Sequence, residues 1–391
     1  MMNSIPIDLF LDIISRLPAK SVAKCFFVSK QWASMLCRPD FTELFLTRSS
    51  ACQRLLFAIR EVENNEWHFF SSPQPQNPYE TSSLVVAADS HIKFPEGMCP
   101  EFCDYASGLI YSTGQYECKV EDNVNVICNP STGQYASLPE LGTYRSSKYY
   151  LGFDPIDKIF KVLYIGVRIM TLGNGAMRWR KIQCSLTHHN LFSEGICING
   201  VLYYISGQIG VTSYVIVCFD VRSEKFDFID AEGYYSKLIN FKGKFCMVDL
   251  SYIRDGGHSR HLELCLSVLE DVEKREWSKH VYTLRDDKFD TDRNGFLRVR
   301  VAGVTATGDI VLSSMVYVKT SKRPFYVFYF NPEEKTLDSV EIQGFGDMSN
   351  INGDSEVTAF VDHVDDPKVS IMLQHRLKLT CNNYEPTRTQ A

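Results

Sequence analysis

The sequence has no long hydrophobic run, no regular cysteine framework and no excess of positive charge. Its 391 residues contain no stretch of about 18 consecutive apolar residues, so we expect no membrane span. Asp8 and Asp12 interrupt the apolar N-terminus, which is unlike the layout of a signal peptide. The 13 cysteines are odd in number and irregularly spaced, which indicates reduced thiols in a cytoplasmic and/or nuclear protein. A net charge of −6 argues against general nucleic-acid binding.

Motifs of catalysis and of metal binding are missing as well. The sequence has no Gly-x-Ser-x-Gly elbow, no kinase signature and no phosphate loop. We interpret the remaining short motifs as turns, solvated loops or incidental residues: Gly173-Asn174-Gly175, His188-His189, His258 with His261, Cys99 with Cys103, Asp286-Asp287 and Asp365-Asp366. We therefore expect no catalytic residue, no metal and no cofactor.

The first 47 residues carry more apolar surface than so small a unit can bury. Their pattern predicts three short helices, the first from about Ile7 to Leu17 and ended by Pro18. Ser21 and Ser29 are expected to be the N-caps of the second and third helices. A further helical turn is expected to open at Asp40. About 45 residues is near the lower limit for an independent fold. The surplus apolar surface therefore packs either on the rest of the chain or on a partner protein.

The order of residues in this segment resembles an F-box. The blocks that carry the resemblance are Ile5-Pro6-x-Asp8-Leu9, Arg16-Leu17-Pro18-x-Lys20-Ser21, Val28-Ser29-Lys30-x-Trp32 and Asp40-Phe41. The resemblance implies a module that docks on a Skp-type adaptor and, through it, on the cullin of a ubiquitin ligase. The docking residues that it implies are Ile5, Pro6, Leu9, Ile13, Leu17, Pro18, Val22, Val28 and Trp32. Some of them, Trp32 above all, could instead hold the helices together.

Charge is distributed unevenly along the chain. Residues 1–48 contain six Lys and Arg and four Asp and Glu, a net charge of +2, so the remainder carries −8. Adaptors of the F-box family are acidic, and a basic module would help to steer their encounter. Such a small excess is also ordinary for a protein surface.

After about Ser50 the pattern changes to period-two strands, and one unit recurs. Each unit has a Gly-led strand, a strand that ends in Asn or Asp, a tight turn and a closing strand with an aromatic residue. Four copies are clear, with turns near Asn129, Asp220, Asp271 and Asn331, and two weaker copies lie at residues 55–69 and 149–182. Such spacing predicts an α+β multidomain chain, in which a small three-helix module precedes an all-β propeller-like domain of about six blades. A sandwich or an irregular double sheet is the alternative.

The repeat region also resembles the type-3, kelch-related F-box-associated domain of plant F-box families. The telling segments are Asn129–Gln134, Tyr150–Pro155, Met170–Gly173, Gly195–Tyr204 and Cys218–Glu224, and the match fades after Thr283. The resemblance implies recognition of a protein substrate. We expect the module at 1–48, the β domain at 50–376 and a disordered tail at 377–391.

These observations predict a non-catalytic substrate-recognition subunit of a cullin–RING ubiquitin ligase. The expected partners are the Skp-type adaptor and an unknown protein substrate, with no nucleic acid and no membrane. A kelch-like binding module without a ligase role and a propeller hydrolase are the alternatives. Loops Pro73–Pro78 and Asp286–Asn294 are candidates for target binding by position only.

Overall fold

The computed structural model places four helices before a β-propeller. It describes residues 5–61, 66–75, 77–94, 98–116, 119–139, 141, 148–165, 167–173, 177–186, 188–189, 194–208, 214–231, 237–254, 260–289, 299–318, 324–345 and 354–365. The helices are α1 (Ile7–Ile14), α2 (Ala19–Cys25), α3 (Lys30–Leu36) and α4 (Pro39–Ala51). The turn expected at Asp40 is thus a helix of 13 residues. The tail expected after residue 376 lies outside the described residues.

The helices, called the head below, share one small core. Its buried members are Phe10, Leu11, Ile14, Ala19, Val22, Phe26, Leu36, Phe41 and Phe45. The Trp32 ring packs edge-on against Phe10, with 4.7 Å between ring centroids. Arg48 of α4 donates to the backbone oxygen of Asp12 over 2.9 Å, which ties the last helix to the first. The head therefore has an inside of its own.

Two details of the helix ends differ from the sequence predictions. The first helix ends at Ile14 rather than Leu17, because Arg16 and Leu17 donate to carbonyls three residues back in a tightened last turn. Ser21 does not cap α2, which starts at Ala19 after the extended Pro18. Ser29 does cap α3 and accepts from the Trp32 amide over 3.1 Å, as predicted.

The described part of the β domain contains 27 strands and two single 3-10 turns. In chain order these are β1 (Arg54–Glu61), β2 (Glu66–Pro73), a 3-10 turn (Pro78–Glu80), β3 (Ser83–Val85), β4 (Ala87–Lys93), β5 (Met98–Ala106), β6 (Leu109–Tyr116), β7 (Lys119–Asn129), β8 (Gln134–Ser137), β9 (Tyr149–Asp154), β10 (Ile159–Tyr164), β11 (Arg168–Thr171), β12 (Arg180–Lys181), β13 (His188–His189), β14 (Ile196–Ile198), β15 (Val201–Gln208), β16 (Tyr214–Asp220), β17 (Lys225–Ala231), β18 (Lys237–Phe241), β19 (Lys244–Arg254), β20 (Arg260–Asp271), β21 (Glu276–Leu284), a 3-10 turn (Asp287–Phe289), β22 (Val299–Val304), β23 (Ile310–Ser314), β24 (Val316–Val318), β25 (Phe325–Asn331), β26 (Thr336–Gln343) and β27 (Asp354–His363).

These strands form six sheets, one for each repeat unit of the sequence. Blade 1 is β24-β27-β1-β2-β4, blade 2 is β5 to β8, blade 3 is β9 to β12, blade 4 is β13 and β14 on β15 followed by β16 and β17, blade 5 is β18 to β21, and blade 6 is β22-β23-β25-β26-β3. Except for the parallel pair of β26 and β3, the described pairs are antiparallel. Blade 1 combines β27 from the end of the domain with β1 from its start, which closes the ring. The prediction of about six blades is confirmed.

The predicted Asn and Asp residues shape the turns of the blades. The Asn331 carboxamide oxygen accepts from the Glu333 and Glu334 amides over 2.9 and 3.0 Å, and Asp271 accepts from the Lys274 amide over 2.9 Å. Such side-chain acceptors fix a chain reversal locally. In blade 3, one of the weaker copies, the turn at Asp154 joins the first two strands, whereas in the four clear copies the corresponding turn joins the third and fourth strands.

Apolar side chains fill the spaces between neighbouring blades. Six buried clusters lie in the β domain, and each draws its members from two adjacent blades. Tyr135, Phe226 and Trp277, the aromatic residues that follow the turns, pack against these clusters as expected. No blade could bury both of its faces alone, so stacking provides the core.

The two ends of the propeller differ in their connections. At one end, called proximal, Arg54 of β1 pairs with His363 of β27, and tight two-residue turns such as Asn199-Gly200 and Lys242-Gly243 join the first two strands of blades. At the other end, called distal, Arg60 pairs with Glu356. Strands rise about 3.3 Å per residue, so the two ends lie about 20 Å apart.

Candidate functional site

Large apolar side chains are exposed on the head. Ile5, Leu9 and Ile13 follow one another at helical spacing, and their exposed fractions are 59%, 52% and 45%. Phe27 and Val28, in the segment between α2 and α3, are 64% and 61% exposed. These five residues, together with Pro6, are called the apolar surface of the head. A set of neighbouring exposed apolar side chains marks an interaction site more often than an isolated exposed apolar side chain does.

The predicted docking residues divide into two groups. Ile5, Pro6, Leu9, Ile13, Pro18 and Val28 are exposed, whereas Leu17 and Trp32 are half-buried against the core of the head. Val22 has no exposed surface, because it lies on the inner face of α2 within that core. It offers nothing to a partner and belongs to the residues that hold the helices together. Phe27, which the sequence analysis did not name, is exposed beside Val28, and its position next to Val28 in the sequence is the signal that could have drawn attention to it.

The head contacts the proximal end of the propeller through polar groups. Lys20 donates to the backbone oxygen of Asp89 over 2.8 Å, and the Asp365 amide donates to the Ser49 hydroxyl over 2.9 Å. The exposure of the apolar surface shows that the sheets leave it uncovered. Among the described residues, the surplus predicted from the sequence therefore does not pack on the sheets of the chain.

Asp365 and His363 form a polar cluster at this junction. His363 is 1% exposed, and its Nε2 lies 3.0 Å from the Ser131 hydroxyl and 3.3 Å from the Asp365 carboxylate. Its Nδ1 contacts the Tyr105 hydroxyl at 2.9 Å. A catalytic triad needs the acid on Nδ1 and the serine on Nε2. Since Asp365 and Ser131 both lie at Nε2 here, the cluster has the geometry of a structural hydrogen-bond network and lacks that of a catalytic triad.

Several minor motifs lie elsewhere than in the predicted solvated loops. His261 is buried in β20, and Asp365 is half-buried in the junction, so both predictions were wrong. The backbone of His188-His189 forms β13 and pairs with β15. Asp286 accepts from the Lys288 amide over 2.8 Å and shapes a 3-10 turn. The Gly173-Asn174-Gly175 turn, His258 and Asp366 lie at least partly outside the described residues, as do the side chains of Cys99 and Cys103.

One group of side chains has the spacing of metal ligands. Glu61, Glu66 and His68 bring possible ligand atoms within 4.8 Å of one another at the distal end of blade 1. The Lys93 ammonium lies 2.8 Å from Glu66 and lowers the pKa of this carboxyl through their hydrogen bond. A cationic side chain thus already neutralises part of the group. The nine described cysteines are free thiols.

A cavity of about 830 Å³ follows the axis of the propeller. Most of its wall comes from the innermost strands β5, β14, β18, β22 and β27. Asp104 of β5 is buried in this wall, where it accepts from the Gly195 amide over 2.9 Å and from the Leu151 amide over 3.2 Å. Burial raises the pKa of Asp104 to about 7. One side chain thereby links three blades, and no sequence motif marked it.

The two loops proposed as target-binding segments lie at opposite ends. Pro73 ends β2 beside Arg54, at the proximal end near the head. Asp286 follows β21 at the distal end, and residues 290–298 beyond it lie outside the described part. Within the described residues, no helix is long and apolar enough to cross a membrane.

Comparison with known proteins agrees with this architecture. A family model described as the F-box associated beta propeller domain matches residues 54–364, and the F-box domain model matches residues 2–44. F-box protein At3g57590 of Arabidopsis thaliana is 48% identical over 389 residues, which cover 94% of this chain and 92% of the relative. F-box protein At2g15640 of the same plant is 46% identical over 415 residues and 94% of both chains. The chain thus combines an F-box with a β-propeller, and it belongs to the family of F-box proteins with an F-box associated β-propeller domain.

Solved structures resemble the chain only weakly. The β-propeller domain of the Trilobed protease from Pyrococcus furiosus has a TM-score of 0.34 and 12% identity, and it covers 62% of this chain and 71% of that one. An oligogalacturonate lyase from Vibrio parahaemolyticus has the same TM-score with 7% identity, over 74% of this chain and 85% of the lyase. These values support no statement about activity.

Proposed function

We propose that this protein is the substrate-recognition subunit of an SCF-type cullin–RING ubiquitin ligase. In this proposal the head docks on a Skp-type adaptor, the propeller binds a protein target, and other subunits carry out the chemistry. The chain contributes proximity, because it raises the effective concentration of target lysines near the ligase. Such a subunit acts in the cytoplasm or the nucleus, where free thiols persist.

The observation that carries the proposal is the apolar surface of the head. Membership of the F-box family gives this surface a partner of known type, and the sheets of the chain leave it uncovered. Stable interfaces place such anchors at a desolvated centre. Polar contacts hold the head at the proximal end, which leaves the distal end of the propeller for the target.

Capture of a purified Skp-type adaptor by the full-length protein tests the docking. We expect Leu9→Asp combined with Ile13→Asp to weaken capture at least about 100-fold, since charges would enter a desolvated interface. Both side chains are exposed, so the fold should be retained. Ile156→Asp is the matched control, because Ile156 is 68% exposed in a propeller turn far along the chain from the head.

Two results would contradict the proposal. Undiminished adaptor capture by the double variant would show that the adaptor does not dock on this apolar surface of the head. A target that binds the propeller but keeps its half-life when the protein is depleted would favour a binding module without a ligase role.

A further inference from the structure

The sequence that follows the propeller is rich in large apolar residues. Residues 367–380, called the apolar segment below, come after β27 and contain no Asp or Glu. Val369, Ile371 and Leu373 occupy every second position, so an extended chain would carry all three on one side. Leu377 and Leu379 continue the alternation. Removal of such side chains from water is favourable, so we expect the apolar segment to bind a surface.

The propeller is complete without the apolar segment. β27 already pairs with β1 and closes the ring. Each of the six blades has at least four strands among the described residues. The ring therefore needs no further strand, and the surface that the apolar segment binds is more readily sought outside the blades.

The last described residue lies beside the head. The Asp365 amide donates to the Ser49 hydroxyl over 2.9 Å, and Ser49 belongs to the last turn of α4. Arg48, which precedes Ser49, donates to the backbone oxygen of Asp12 on α1 over 2.9 Å. The apolar segment therefore begins two residues after a point that one hydroxyl and one arginine side chain connect to α1.

The apolar surface of the head starts at this place on α1. Ile13 follows Asp12 directly, and Leu9 lies one helical turn before Ile13. Residues 366–373 span about 26 Å when extended, which is enough to cross from Asp365 over Arg48 to α1. Two sets of apolar side chains, one exposed on the head and one in the apolar segment, are thus joined by a short connection.

We propose that the apolar segment binds the apolar surface of the head and competes with the adaptor for it. The contact itself follows from the position of Asp365, whereas the competition rests on the proposed function. The apolar segment takes up residues 377–380, which the sequence analysis placed in a disordered tail. The free protein would then cover its exposed apolar side chains until the adaptor displaces the segment.

A weak contact is sufficient for this competition, because both partners belong to one chain. A short connection gives an effective concentration on the order of 1 mM. With a dissociation constant of about 0.1 mM, the apolar segment would occupy about nine-tenths of the heads and lower the apparent affinity for the adaptor about tenfold.

Adaptor affinity of full-length variants tests the competition. We expect Ile371→Gln combined with Leu373→Gln to raise the apparent affinity for a purified Skp-type adaptor about tenfold, since the segment would no longer cover the head. Ser370→Gln combined with Gln374→Ser is the matched control, because it changes the other side of the same extended segment. We expect the control to behave like the wild type. Equal adaptor affinity of the wild type and the Ile371, Leu373 variant would overturn the proposal, as would an equal gain in the control.

A peptide assay tests the contact without the adaptor. The probe is a fluorescein-labelled peptide with the sequence of residues 367–380, added to the full-length Ile371→Gln, Leu373→Gln variant. We expect saturable binding that weakens at least about tenfold when Leu9→Asp and Ile13→Asp are added, since charges would enter the contact. Ile156→Asp in their place should change nothing. Thermal unfolding midpoints of all variants report whether the fold is intact.

Binding that the head substitutions leave unchanged would place the apolar segment on the propeller and overturn the proposal. Absence of saturable peptide binding at millimolar concentration would also overturn it. Peptide binding on the head without adaptor capture by any variant would support the contact and contradict only the ligase role. Adaptor capture that is independent of the apolar segment would retain the ligase role and overturn the contact, so the two failures are distinguishable.

Discussion

The head and the propeller place their large apolar side chains in opposite ways. In the head, Leu9, Ile13 and Phe27 point outward although the segment has few residues with which to build a core. In the propeller, six clusters of apolar residues lie between blades, and an exposed residue such as Ile156 sits alone in a turn. A repeating unit can bury its faces on its neighbours, whereas a single small unit cannot. The exposed apolar surface of the head is therefore where the proposed adaptor would dock, whereas the apolar residues of the propeller are buried by the closure of the ring.

The largest expected effect tests whether the head has a buried core that is distinct from its exposed apolar surface. We expect Val22→Asp to lower the stability of the head by about 4 kcal/mol or more, because an ionised carboxylate would enter its core. Ile13→Asp should change stability by only about 0.5 kcal/mol, since Ile13 is exposed. Hydrogen exchange measured along the chain would show lost protection in α1 to α4 for Val22→Asp alone. Loss of protection in the propeller strands as well would mean that the two regions are one cooperative unit.

A pH titration tests the polar link between blades. Asp104 has a folded-state pKa of about 7 against an ordinary value of 3.8, so the folded state binds more protons between these values. Its contribution is fully present below pH 3.8 and is lost as the pH rises through 7. Relative to Asp104→Asn, the free energy of unfolding of the wild type should therefore fall by about 2–4 kcal/mol across this window. Parallel curves for the two proteins would contradict the raised pKa.

The smallest expected effect concerns a single turn of the propeller. Asn331→Ala removes the acceptor for two backbone amides, and we expect a loss of about 1 kcal/mol in the free energy of unfolding. Asn331→Asp keeps the acceptor and should be nearly neutral. Denaturant titrations of the three proteins measure the difference. An equal loss in both variants would show that the turn does not depend on the side-chain acceptor.

Features that depend on contacts within a few residues could be predicted from the sequence, whereas features that depend on contacts between distant strands could not. Ser29 as a cap and Asn331 in its turn act on amides within a few residues, so their roles were visible in the sequence. His261 and Asp365 were misassigned because their burial depends on strands far away along the chain. For the same reason the sequence does not reveal the role of Asp104, which accepts hydrogen bonds from the Leu151 and Gly195 amides only when the ring closes.

The sequence by itself indicated a propeller of about six blades, the helical head and the family, because period-two strands, turn residues and F-box blocks are encoded over short distances. Only the tertiary structure decided which apolar residues of the head stay outside, since Val22 and Ile13 look alike until α2 packs against its neighbours. It also decided that β5, β14, β18, β22 and β27 line one cavity, because these strands come from different blades and meet only through the curvature of the whole ring.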